Sequence, residues 1–205
     1  MNAKSAAADV VRCPWWGIED AEYIRYHDEE WGVPVTDDRR LLEKLVLEGF
    51  QSGLSWRTIL KKRDNFRRAF HDFDAQRIAR YSDKDRARLM ADAGIVRNRL
   101  KIEATIDNAR AYLALKEKQS LASFIWGFLD GRPLIHERRS MSEVPAVTEQ
   151  SKRISKALKA NGFRFVGPTT IYAFMQSTGM VNDHLVSCHR HRACAALQKT
   201  FKAPK

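Results

Sequence analysis

The chain has 205 residues, 44% of them hydrophobic, with ten Phe, five Trp and five Tyr, enough to bury the core of one compact domain or of two small ones sharing a cleft. Its 36 basic and 25 acidic residues leave a formal charge of +11, which points to a polyanion partner, nucleic acid first, with a basic protein that has no such partner as the alternative. Three cysteines do not make a disulfide framework and fit a reducing, cytoplasmic setting; no apolar run approaches the roughly 18 residues of a membrane span, and Met1 to Val11 lack the apolar centre of a secretory signal.

Residues 1–11 are small and polar and are expected to form a disordered tail. The ordered part opens on Arg12-Cys13-Pro14-Trp15-Trp16-Gly17, where Cys13, preceding a proline, is kept out of the helical region. Asp20 to Glu30 predicts a short helix on which Tyr23, Tyr26 and His27 share a face, closed by Trp31-Gly32-Val33-Pro34. Thr36 or Asp37 caps the next helix, with Leu41, Leu42, Leu45, Val46 and Phe50 inside. At about 100° per residue, Glu48 falls beside Leu41 and Leu45, at the edge of the apolar stripe. Two readings stay open for it: a side chain reaching round to solvent or serving as a buried cap, or a carboxylate facing a pocket. Gln51 to Trp56 breaks this helix and starts another capped by Ser55, with Trp56, Ile59, Leu60, Phe66 and Phe70 inside and Lys61, Lys62, Arg63, Arg67 and Arg68 read as a solvated face.

Short helices are predicted over 74–80 and 82–91, a long one over 98–115, and a short aromatic one over 121–129. Arg132 to Pro145 reads as a loop with His136 exposed on it. A helix over 148–160 ends at Asn161-Gly162, where glycine supplies the left-handed residue after the cap. Phe163, Phe165 and Val166 fill the following turn, and Pro168 suits the first turn of the next helix. Residues 196–205 are expected to be a basic disordered tail, leaving a single monomeric domain over 12–195. Nothing alternates with period two for long enough to be a strand, so the expected class is all-α with nine or ten helices.

Two constellations carry chemistry. Helix, glycine-flanked turn and helix over 150–180 form a helix-hairpin-helix, in which Gly162, Arg164, Gly167 and Thr169 are candidate contacts to a DNA phosphate, gripped without reading sequence. His184 and Cys188 are spaced i, i+4 and on a helix would share a face. With Cys13 and His27 they would make the Cys2His2 set of a closed structural zinc site, joining the chain's start to its end. Four unrelated residues are the alternative, and Cys194, His189 and His191 are rival ligands.

The residues Arg12-Cys13, Tyr23-Ile24-x-Tyr26-His27-Asp28-x-Glu30-Trp31-Gly32-Val33-Pro34, Leu47-Glu48-Gly49-x-Gln51-x-Gly53-Leu54-Ser55-Trp56, Gly94-Ile95-x-Arg97, Phe163-x-Phe165-Val166-Gly167 and Val181-Asn182-Asp183-His184 together resemble the bacterial 3-methyladenine DNA glycosylase I family, over residues 12 to 188. The resemblance implies the helix-hairpin-helix glycosylase fold, two helical lobes with a cleft between them. It implies zinc on Cys13, His27, His184 and Cys188, and a base pocket made by Glu48 with Tyr26 and Trp56, with Tyr23 and Trp31 close by. The implied partners are alkylated double-stranded DNA and the 3-methyladenine base. Related glycosylases carry an aspartate where this chain has Asn182, and some carry a hairpin lysine, absent between Gly167 and Ile171. The resemblance therefore implies a monofunctional enzyme without a lyase step, with Asp183 displaced by one position and pointing elsewhere.

Overall fold

Helix α2 (Asp38–Gln51) is the element the others surround. From Leu41 to Phe50 every residue but Glu43 is buried, because α2 packs against α3 (Trp56–Ala69), α6 (Arg99–Lys116), α7 (Leu121–Trp126) and α9 (Pro168–Ser177). Asp37 caps it by accepting from the Arg40 amide at 2.8 Å. At its other end the Lys101 ammonium donates to Phe50 O at 2.8 Å and Ser52 O at 2.6 Å, so a buried cation meets the negative pole of the helix. Asp38 in turn accepts from the Leu121 and Ala122 amides at the start of α7.

The computed structural model describes residues 10–15 and 17–204, so most of the predicted N-terminal tail lies outside the described residues. Among those residues, ten α-helices include also α1 (Ala21–Glu29), α4 (Ala75–Ile78), α5 (Asp83–Ala91), α8 (Glu149–Ala160) and α10 (His189–Thr200). None is long and apolar enough to cross a membrane. The expected all-α class holds in the main, the structure being mostly helical; Ser55 caps α3 as predicted, accepting from a backbone amide, and Pro168 opens α9, while Thr148, read as the first helical residue, is instead the N-cap of α8.

Four expectations need correction. The 132–145 stretch is not wholly loop: β1 (Leu134–Ile135) pairs in parallel with β2 (Val181–Asn182), a pairing too short to leave a periodic signal. The C-terminal tail is ordered further than composition suggests. Helix α10 runs to Thr200, held by buried Cys194 and Gln198, and Phe201 packs on the Trp126 ring at 4.3 Å between centroids. At the other end Val11, assigned to the tail, is fastened through its carbonyl to the His189 amide at 2.9 Å. Finally, Arg63 does not belong to a solvated face: it is buried, and donates to Glu30 at 2.7 Å.

One close approach fixes how α9 ends. Gly179 has φ +68°, and a Cβ there would lie 2.3 Å from the Val33 carbonyl carbon and 2.4 Å from the Pro34 nitrogen. Both the left-handed backbone and the clash exclude a side chain. Gly179→Ala is expected to cost roughly 2–4 kcal/mol, read as a lower urea midpoint with an unchanged slope.

Candidate active site and metal centre

A cavity of about 570 Å³ opens between the start of the chain, α1 and α2 on one side and α9 with residues 141–146 on the other. Its walls include all five residues expected at a base pocket: Tyr23, Tyr26, Trp31, Glu48 and Trp56. Their rings form one connected aromatic surface. Tyr26 lies 5.3 Å from Trp56 and 6.3 Å, stacked, from Tyr23. Trp15 adds contacts to Tyr23 at 5.3 Å and, edge-on, to Trp31 at 4.7 Å. The Trp56 Nε1–H is buried without a hydrogen-bond partner among the described residues, leaving a donor at the cavity wall.

Glu48 does not reach round to solvent. It is 4% exposed and lines the cavity. Burial pushes its carboxyl up to about 7, although Lys44 and a hydrogen bond from Ser177 pull the other way. Lys44 is buried one helical turn earlier, with Nζ 3.7 Å from Glu30 Oε2 and 5.3 Å from the Tyr26 ring centroid. Burial also lowers the Lys44 ammonium, so carboxyl and amine are each drawn toward neutrality by the same dry surroundings.

Behind the aromatic wall, Cys13, His27, His184 and Cys188 are all buried, and their ligand atoms lie within 4.8 Å of one another. The expected pairing is there, but not by the expected local geometry. His184 and Cys188 do not share a helix: they lie in the turns between β2 and α10, with Cys188 the N-cap of α10. The turn still places Cys188 Sγ 3.6 Å from His184 Nδ1, and His27 Nε2 is also 3.6 Å away. Cys13 Sγ is 3.7 Å from His184 Nδ1.

A tetrahedral ion with ordinary metal–sulfur and metal–nitrogen bonds requires sulfur–nitrogen separations of about 3.6 Å, so the four side chains fit one ion. Each histidine is oriented by its other nitrogen: His27 Nδ1 bonds Asp28 at 2.7 Å and His184 Nε2 bonds the Trp31 carbonyl at 3.0 Å, an arrangement that aims the remaining lone pair at the centre. Asp28 is itself clasped by Arg12 and His189. Gly32, at φ +79°, is the approach that lets this happen, since a Cβ there would sit 3.1 Å from the His184 ring. Among the rival ligands, Cys194, His189 and His191 all stand outside the four-residue set. His191 and Cys194 are buried rather than exposed.

The predicted DNA-contact residues lie together on the α8–α9 turn. Gly162 has φ +86°, as the helix end demands. Gly167, at φ −61°, is the N-cap of α9 and would meet nothing within 4 Å if it carried a Cβ; its value is an uncovered backbone rather than a special conformation. Thr169 is exposed at the cavity rim. Arg164 is exposed, but its guanidinium is paired with Asp107 at 2.6 Å, and its backbone is clamped at both ends by Asn108.

Several cavity residues carried no usable signal in the sequence. Trp15, Tyr172, Gln176 and the stretch with Met141, Val144, Pro145 and Ala146 line it, brought there from segments distant along the chain. His136 is not a free loop histidine: its Nδ1 lies 2.6 Å from Asp183 Oδ1. Asp183 is fully buried.

A mostly helical fold with an aromatic, carboxylate-bearing cavity at the mouth of a helix-hairpin-helix is the architecture of a DNA glycosylase. Residues 16–191 match the methyladenine glycosylase family model, and the chain belongs to that family. It is 49% identical over 178 residues to DNA-3-methyladenine glycosylase 1 of Escherichia coli, covering 86% of this chain and 95% of the relative. It is equally 49% identical, over 179 residues, to the DNA-3-methyladenine glycosylase of Haemophilus influenzae, covering 87% and 96%. The fold superposes on a crystal structure of 3-methyladenine DNA glycosylase I with TM-score 0.85 at 50% identity, covering 87% and 98% of the two chains. It also superposes on the Staphylococcus aureus enzyme, solved to show 3-methyladenine recognition, with TM-score 0.81 at 36% identity, covering 83% and 92%.

Proposed function

We propose that this chain is a monofunctional DNA-3-methyladenine glycosylase of base-excision repair, acting on alkylated double-stranded DNA as a cytoplasmic monomer. The observation that carries the reading is a buried carboxylate, Glu48, in the wall of an aromatic cavity. N3-methylated adenine is a cation whose glycosidic bond is already weak, because the base departs neutral. A strong acid is therefore unnecessary, and the site has to hold the base once it is out of the stack. The faces of Trp56 and Tyr26 stack on the electron-poor ring, with Tyr23 and Trp31 completing the wall. Glu48, ionised, accepts a hydrogen bond from the base and favours its positive charge; unmodified adenine lacks that charge and binds worse. Water adds to the anomeric carbon as the carbon–nitrogen bond breaks, and its proton passes to solvent.

Asn182, at the position where related enzymes carry an aspartate, is buried and spent on structure: it donates to the His191 carbonyl at 3.0 Å and accepts from the His184 amide at 3.2 Å. This supports a site without that acid. Gly162, Arg164, Gly167 and Thr169 hold the DNA backbone, with Arg164 exchanging Asp107 for a phosphate. The bound ion is Zn²⁺ on Cys13, His27, His184 and Cys188, structural because the protein supplies all four ligands, and the domain runs from residue 12 through α10.

The test is direct. Purified protein incubated with methylated duplex is expected to release free 3-methyladenine and leave abasic sites without strand breaks. DNA binding should weaken steeply with added salt. Folded protein that releases no alkylated base overturns the reading.

A further inference from the structure

Asp183 is a fully buried carboxylate that the mechanism above leaves unused. Both its oxygens are engaged. Oδ2 accepts from the Tyr172 hydroxyl at 2.6 Å and from Gln176 Nε2 at 2.9 Å. Oδ1 accepts from His136 at 2.6 Å, with Arg138 Nε at 3.5 Å. A carboxylate with all this traffic has no free lone pair for a water, so it is not a displaced general base.

The four donors come from two places. Tyr172 and Gln176 stand one turn apart on α9, and both line the base cavity. His136 and Arg138 belong to the segment that leads into the opposite cavity wall at Met141, Val144 and Ala146. That segment has few other ties. Leu134 N and His136 N bond the carbonyls of Met180 and Asn182, and the Arg138 carbonyl accepts from Val186. These bonds run to the strand and turn that carry Asp183, and one more ties the segment to α10, where His191 Nε2 lies 2.8 Å from the His136 carbonyl. The next tie beyond them is local, between Arg139 N and Glu143.

We propose that Asp183 is the positioning residue of the base cavity, a charged junction that locks the 134–146 segment to Tyr172 and Gln176 and so sets the distance between two of its walls. The inference rests on the reading of the cavity as the base site. A buried carboxylate is suited to the task because charge-assisted hydrogen bonds are short and directional, and because losing one partner leaves the others to be satisfied in a dry interior. The identity as Asp rather than Asn matters: four donors converge on it, and an amide would bring a fifth donor into the same space.

Asp183→Asn tests it on the full-length, metal-loaded protein. Expected are two changes together: faster backbone amide exchange across residues 134–146, and roughly tenfold weaker binding of free 3-methyladenine, the size of one lost charge-assisted hydrogen bond, read by tryptophan fluorescence. Because Asp183 adjoins His184, metal content and far-UV circular dichroism are measured alongside. His136→Gln, which cuts only the segment's side of the junction, is run in parallel and is expected to show both changes at smaller size. Unchanged exchange and affinity in both variants overturn the proposal. So does faster exchange with unaltered affinity, which would make the junction merely structural. A wild-type protein that binds no 3-methyladenine defeats the base-site reading instead, and the exchange measurement then still decides whether the junction holds the segment.

Discussion

Glu48→Gln is expected to lower release of 3-methyladenine by about 10²–10³-fold, the range for removing one preorganised electrostatic partner of a developing or fixed charge. The variant keeps shape and hydrogen-bonding capacity but not the negative charge that favours a cationic base. The wild-type pH profile should carry the same signature. Burial places the Glu48 carboxyl at about 7, so kcat/KM should fall as pH drops through that value and level off above it, while the Gln variant stays flat. An unchanged release rate removes Glu48 from the role.

Stability moves the other way. The folded carboxyl lies above its ordinary value of 4.5, so the native state binds the proton more tightly than the unfolded chain does. The cost is absent below about 4.5, grows between there and about 7, and is complete above it, amounting to roughly 3 kcal/mol when fully ionised. At pH 8 the Gln variant should therefore melt about 5–10 °C above wild type, and at pH 5 the difference should largely vanish. A site that is less active yet more stable when altered is the mark of strain kept for function.

Replacing Cys188 or Cys13 with Ser, or stripping the metal with a chelator, is expected to lower the melting temperature by roughly 10–20 °C, several kcal/mol for a chain of this length. The four ligands join segments far apart: Cys13 and His27 lie on one side of the chain and His184 and Cys188 on the other. Without an ion, two thiols and two imidazoles remain packed in a dry space. The damage should spread to the cavity, since the ring of Trp31 lies 4.6 Å from that of His184 and Trp15 lies 4.7 Å from His27. Calorimetry with elemental analysis checks this. A Cys188→Ser protein without bound zinc and with wild-type melting behaviour would exclude the clasp.

What could be read from sequence tracks how local each determinant is. The cap at Asp37, the cap at Ser55, the left-handed Gly162 and the helix-opening Pro168 depend on a few neighbouring residues, and those elements stand where periodicity places them. The metal set illustrates the intermediate case. Its four members are chemically scarce enough to be singled out, yet a spacing of four predicts a helix where the chain instead turns, because spacing constrains distance without choosing the backbone that spans it.

Composition, periodicity and residue type suffice for a basic, helical chain, the four candidate ligands, and a carboxylate placed at an apolar edge. It takes the packing of the helices to turn Glu48 to a cavity rather than solvent, to bury Arg63 against Glu30, and to gather His136, Tyr172 and Gln176 on Asp183. The reason is physical: burial and hydrogen bonding between distant segments depend on which surfaces meet when the helices pack, and no periodicity within one helix encodes its neighbour.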